Sequence, residues 1–266
     1  MEPQPPLKSS LTIPAAIVFA GAIVGLAVIL TRTAPNPVQN AKQSAAAAIA
    51  QNTVTVPPVT ANDHIFGNVN APVMIVEYSD PSCPYCKMFH SVMRKVMNDL
   101  GKSGNVAWVY RSFPLDKPDD YGRVLHPNAG HESLAFECAG AQGGNEKYFA
   151  FANKFYELTP SVTPSSPQGF DQTQLPTIAK SVGLDVKVFN DCLASGKLKA
   201  KIETVYQAGV DAGVAGTPYS FIVTRSGKTI SLNDGAWSVS KMEGAISQIL
   251  LEEGVNTTAS TTPTTN

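Results

Sequence analysis

At 266 residues and 43% hydrophobic content, the chain is long enough to bury one sizeable core. Its formal net charge is −1, and Lys, Arg, Asp and Glu are intermixed rather than gathered into a basic stripe, which argues against nucleic acid as a partner. Both ends are too biased in composition to join that core, so one folded domain with flanks is expected.

After a short segment, residues 1–10, the stretch Leu11–Leu30 (LTIPAAIVFAGAIVGLAVIL) carries no charge. About 20 helical residues rising ~1.5 Å each match the ~30 Å hydrocarbon core of a bilayer, which predicts one transmembrane helix over residues 11–31. A cleaved signal peptide is the alternative, but the stretch exceeds an apolar h-region of roughly 7–15 residues and no small-x-small cleavage site follows directly. Lys8 precedes the span and Arg32 and Lys42 follow it, so positive charge does not orient it. Residues 32–61 are rich in Ala, Pro, Gln, Asn and Thr and read as a flexible linker. Residues 254–266 (GVNTTASTTPTTN) read as a disordered tail, and the glycosylation tripeptide at Asn256 within it is too common a pattern to carry weight.

Between these flanks, residues 62–253 form the expected domain. Val73-Met74-Ile75-Val76 is continuously apolar, which suits a central strand covered on both faces. Beyond Pro84, residues Cys86, Phe89, Met93, Val96, Met97 and Leu100 recur at helical spacing until Gly101. Val106–Tyr110 reads as a second strand, and Tyr219–Thr224 and Thr229–Leu232 as a hairpin across Arg225–Lys228. A last amphipathic helix uses Val239, Met242, Ile246, Ile249 and Leu250. Helical patterns at His131–Gln142, Glu146–Leu158, Gln174–Val182 and Val188–Ala208, broken by the Pro/Ser/Gly-rich Thr159–Gly169, form an insertion at about residues 120–210. The order β-α-β, helical block, β-β-α predicts a four-stranded α/β fold with helices on both faces.

Cys83 and Cys86, two residues apart where a buried strand meets a helix, can close a small ring without moving the backbone and so cycle between dithiol and disulfide. Pro84 suits the first helical turn, which puts Cys83 at the helix N-terminus, where the dipole and free N–H groups favour its thiolate. Cys83 is then the nucleophile and Cys86 the buried resolving thiol. A zinc half-site or a plain structural disulfide is the competing reading. Structural zinc, however, wants a second CxxC or a His pair, and His64, His90, His126 and His131 are scattered, better read as packing or surface residues; no metal or other cofactor is assigned.

Glu77, at the end of the apolar strand, would be a buried acid with a raised pKa and a proton carrier for Cys86; the pattern equally allows a solvated glutamate just past the strand. Thr217-Pro218 stands where a cis-proline could hold the chain open against the cysteine pair and offer backbone to a peptide, although spacing by itself favours an ordinary trans turn. Cys138 shares a helical face with Leu134, and Cys192 with Val188 and Phe189, so both point into the insertion core. There they either meet, stabilising the domain by about 4 kcal/mol, or remain two separate buried thiols. An even count of four cysteines beside a span and a tether fits an oxidising, extracytoplasmic compartment, with the N-terminus in the cytoplasm.

The stretch VMIVEYSDPSCPYCKMF, with GVAGTPYSFIV far downstream, resembles the thioredoxin-fold disulfide oxidoreductases of the DsbA type over about Ile65–Leu251. FPL at Phe113–Leu115, HPNA at His126–Ala129 and the ECAGAQG helix from Glu137 resemble the membrane-anchored branch of that family. The resemblance implies a thioredoxin-like α/β fold with a helical insertion, preceded by one N-terminal transmembrane helix. It implies that Cys83 attacks, that Cys86 is its partner, that Glu77 is the buried acid and that Pro218 is the cis-proline. Thr217, Pro84 and Tyr85 would contact substrate, and Cys138 and Cys192 would form a second, structural disulfide as in some relatives.

The activity implied is insertion of disulfides into unfolded or reduced exported proteins, with a quinone-linked membrane thiol oxidase as electron acceptor and the lipid bilayer bound through residues 11–31. The catalytic domain would lie on the extracytoplasmic (periplasmic or outer) face of the cell membrane. Pro84-Tyr85 departs from the Pro-His of the best-known members, which bears on redox direction. A reductase or isomerase using the same pair, and a non-catalytic chaperone for unfolded exported proteins, are the other readings.

Overall fold

A computed structural model of the chain describes residues 55–119, 121–160, 170–232 and 235–255. The expected transmembrane helix, most of the linker, the tail beyond Val255 and most of the Pro/Ser-rich break lie outside the described residues. Among the described residues, no helix is long and apolar enough to cross a membrane.

The elements run β1 (His64–Gly67), β2 (Val73–Ser79), α1 (Pro84–Asp99), β3 (Val106–Ser112), α2 (Ala129–Leu158), α3 (Leu175–Ser181), α4 (Val186–Ser195), α5 (Lys199–Asp211), β4 (Tyr219–Thr224), β5 (Thr229–Leu232) and α6 (Val239–Glu252). The sheet has five strands in the order β1-β3-β2-β4-β5, not the four expected. Only β2 and β3 pair in parallel, as a crossover through α1 allows; the other three pairs are antiparallel. The added strand, β1, lies on the edge of the sheet with two buried and two exposed residues, so it shows no apolar run.

Both sheet faces are covered, and side chains alternate between them as the pleat requires. Val73, Ile75, Val106, Trp108, Tyr110 and Ile222 share one core with α1, α6 and the helices α2 to α4. Val76, Tyr78, Ala107, Val109 and Phe221 face the other way, toward Phe113, Val205 and Tyr206. Gly209 lets α5 come close to the sheet on this second face, since a Cβ there would stand 2.7 Å from the Tyr78 ring and 2.9 Å from Phe113. The expected single helix Val188–Ala208 is two helices, α4 and α5, because the chain turns at Gly196 with φ 61°, a left-handed value that glycine adopts without penalty. Within α2 the backbone departs from helical values at Gly143 and Gly144, between the two helical patterns read from sequence.

Residues 55–60, assigned by composition to the linker, lie against the second face, where Val56 is buried. Buried Arg111 fastens them. Its guanidinium donates to both carboxylate oxygens of Asp63 (2.8 and 3.1 Å), to the Pro58 carbonyl (3.1 Å) and to the Tyr78 hydroxyl (3.1 Å). Cys138 of α2 is bonded to Cys192 of α4 across a sequence separation of 54 residues.

Candidate active site

The carboxyl end of β2 runs into α1 through Asp80-Pro81-Ser82, and the site is built on that turn. Cys83 is the N-cap of α1, with extended backbone (φ −75°, ψ 124°), and Pro84 fills the first helical position, where no N–H is needed. The Cys83 N–H donates to the Asp80 carbonyl (3.1 Å), and the Cys83 carbonyl receives the first helical bond from Lys87 (3.1 Å). One turn on, Cys86 is fully buried and its sulfur accepts the Asp80 N–H (3.4 Å). Both cysteines are free thiols.

Pro218 follows a cis peptide bond, and the Thr217 carbonyl before it stands 3.5 Å from Cys83 Sγ. Spacing favoured a trans turn here; the cis form follows the resemblance. Pro84 is half-buried at the start of α1, while Tyr85 and Met88 are exposed around the cysteine turn. Lys87 Nζ donates to the Thr159 carbonyl, tying the first turn of α1 to the end of α2.

The two thiols titrate apart. Hydrogen bonding from Cys86 holds the Cys83 thiol down at about 6 against its burial, aided by the backbone N–H groups of Cys86 and Tyr85 and by Thr217. Burial pushes Cys86 well up, and the charges of Cys83 and Glu77 add to it. Glu77 is not at the strand end: β2 continues to Ser79, and Glu77 pairs with Tyr110 on one side and Ser220 on the other. The strand outlasts its apolar run because this end is covered by protein, so even Glu77, Ser79 and Asp80 are buried. Trp108 Nε1 donates to Glu77 Oε2 (2.8 Å). Burial raises the Glu77 carboxyl to about 7, against hydrogen bonding from Ser79 and Trp108 and with help from charge on Cys83. One environment thus holds a stabilised thiolate, a protonated thiol and a carboxyl poised to exchange a proton near neutrality.

Two residues of this site were given no role from the sequence. Asp80 is fully buried, and its carboxylate accepts from Ser82 N (2.7 Å), Leu115 N (2.8 Å) and His126 Nδ1 (2.8 Å). His126, read from sequence as packing or surface, belongs to this neighbourhood, and only the HPNA resemblance pointed to its segment. The other histidines stand elsewhere. His64 stacks on Tyr148 at 3.6 Å and meets Glu137 at 3.0 Å, His90 is buried against Asn153 at 2.8 Å, and His131 is exposed. Among the described residues, no three His, Cys, Asp or Glu side chains are grouped to hold a metal ion.

A family model described as thioredoxin matches residues 59–232. The structure is similar to that of BdbD from Bacillus subtilis, with a TM-score of 0.61 at 19% identity over 76% of this chain and 100% of that one. It is also similar to Wolbachia pipientis alpha-DsbA1, with a TM-score of 0.60 at 22% identity over 75% of this chain and 94% of that one. In sequence the chain is similar to a Salinispora arenicola protein named Na(+)/H(+) antiporter NhaA 1, 26% identical over 191 residues. That match takes in 72% of this chain but spans only 25% of the antiporter. The fold is therefore thioredoxin-like with a helical insertion, shared with DsbA-type structures. Because the family model matches well over half of its length, the chain belongs to the thioredoxin family.

Proposed function

We propose that this domain is a thiol–disulfide oxidoreductase working in the oxidising direction on exported proteins. The observation that carries the reading is the division of labour between Cys83, held down at about 6, and Cys86, fully buried and pushed up. In the oxidised form, a substrate thiolate attacks Cys83 Sγ, the Cys83–Cys86 bond breaks, and Cys86 leaves and takes up a proton, for which Glu77 is the buried donor. A second substrate thiolate then attacks the substrate sulfur of the mixed disulfide and Cys83 departs as a stabilised thiolate. Two electrons pass from the substrate, which gains a disulfide, to the enzyme, which is left as a dithiol. The Thr217-Pro218 segment, whose Thr217 carbonyl stands at the Cys83 sulfur, would receive substrate backbone in this reading.

Depression of the Cys83 thiol supports the direction. At pH 7 a thiol that titrates at about 6 instead of 9 stabilises the reduced form by roughly 1.4 kcal/mol, which is about 30 mV toward oxidising for a two-electron couple. Reoxidation then requires an acceptor, for which a quinone-linked membrane thiol oxidase is the candidate. The apolar stretch Leu11–Leu30 would anchor the domain on the extracytoplasmic face, and tethering both proteins to one bilayer raises their effective concentration. The test is the equilibrium potential of the Cys83–Cys86 pair against glutathione. A value near −120 mV, as for DsbA, is expected, while one near thioredoxin's roughly −270 mV would assign a reductase.

A further inference from the structure

Asp80 touches the cysteine pair with its main chain and the surrounding protein with its side chain. Its N–H donates to Cys86 Sγ (3.4 Å) and its carbonyl accepts the Cys83 N–H (3.1 Å), so the conformation of this one residue places both thiols. Its carboxylate has no contact with solvent and three donors: Ser82 N, Leu115 N and His126 Nδ1. A buried carboxylate demands such compensation, and two backbone amides leave a full negative charge that a cation answers better than a neutral donor. The His126 side chain, 15% exposed, is the group that faces it.

We propose that Asp80 and His126 are positioning residues for Cys83: the carboxylate fixes the turn that presents the two thiols, and the imidazolium held on it lends the Cys83 thiolate a second positive charge beside the helix N-terminus. This rests on the oxidoreductase reading of Cys83 and supplies its regulation by pH.

The charged and titratable groups that bear on His126 come from three directions: Asp80 from the turn, Cys83 from the start of α1 and Glu132 from α2. Burial alone would depress the imidazole, but the Asp80 bond and charge, with Cys83 and Glu132 beyond, raise it above its usual value. Glu132 is itself buried, tied to Ser82 Oγ (2.5 Å) and Gln172 Nε2 (2.7 Å), and burial raises its carboxyl against those two bonds, so it supports the imidazolium only where it is ionised. Asp116 adds negative charge beside Asp80. Coupling between two charged groups is reciprocal, so an imidazolium favoured by the thiolate favours the thiolate in return. The help is present while His126 is protonated and disappears as pH rises through its titration. Cys83 reactivity is therefore held up on the acid side.

The test is the rate at which iodoacetamide alkylates Cys83 in the reduced full-length chain, from pH 4.5 to 9, in the wild type, His126→Asn and Asp80→Asn. The asparagine amide at position 126 keeps a donor for Asp80 but carries no charge. His126→Asn is expected to slow alkylation about threefold or more near pH 6, to move the midpoint upward and to converge with the wild type at pH 9. Asp80→Asn is expected to lose the acid-side advantage as well, and adding His126→Asn to it should change little further. A His126→Asn profile that superimposes on the wild type, or is scaled equally at every pH, would overturn the proposal. A wild-type midpoint near 9 is a separate result: it would remove the thiolate stabilisation that supports the oxidising direction, and this proposal with it.

Discussion

The chain holds two pairs of cysteines in one domain, and solvent exposure does not tell them apart: Cys83 and Cys86 are 4% and 0% exposed, Cys138 and Cys192 are 0% and 7%. What differs is the chemistry around the sulfur. Cys83 stands at a helix N-terminus with N–H groups, a backbone carbonyl and a partner thiol within reach, and a buried carboxyl lies close enough for their charges to interact. Cys138 and Cys192 join two helices that pack through Phe136, Phe151 and Phe189, and their sulfurs are bonded to each other. A thiol becomes reactive through its donors, and a disulfide becomes a brace through the loop it closes.

The sharpest way to break this contrast is to remove the brace. Replacing Cys138 and Cys192 together by Ala should lower stability by about 4 kcal/mol in denaturant unfolding, the value for a loop of some 54 residues, and leave the Cys83–Cys86 potential unchanged. A potential that moved with it would mean the two pairs are coupled.

Glu77→Gln should change both fold stability and the reactive pair, with a pH dependence the brace does not have. The folded carboxyl, raised to about 7 from 4.5, favours the protonated form, so wild-type stability falls as pH rises through that window and the cost is complete above pH 7. Gln does not titrate, and the variant should gain roughly 3 kcal/mol relative to the wild type at pH 8, far less at pH 4, while release of Cys86 slows. Equal gains at both pH values would remove Glu77 as a titrating group.

The smallest effect belongs to Cys83. Its depressed thiol stabilises the reduced fold fully above pH 9, and that stabilisation is lost as pH falls through about 6. Reduced wild type should therefore exceed reduced Cys83→Ser by roughly 1.4 kcal/mol more at pH 7 than at pH 5, read from paired unfolding curves.

Local patterns carried the sequence reading as far as local patterns reach. β2 and α1 were legible because an apolar run, a proline and a helical repeat are contiguous at Val73–Leu100. β1 was not, because an edge strand of four residues with two buried has no periodicity to show. Glu77 was read at the strand end because the apolar run stops at Val76, whereas the pairing continues to Ser79 and depends on what covers it. Asp80 and His126 meet across 46 residues, with no motif spacing to announce the pair. Long-range polar pairing is what the sequence leaves unwritten.

The Arg111 clasp has a mechanical meaning. It grips Pro58 and Asp63, the stretch by which the chain enters the domain, and it does so on the sheet face opposite the core packed by α1. The entering segment is thus pinned by a buried guanidinium on β3 that also bonds Tyr78 of β2, so its position is fixed by the central strands of the sheet.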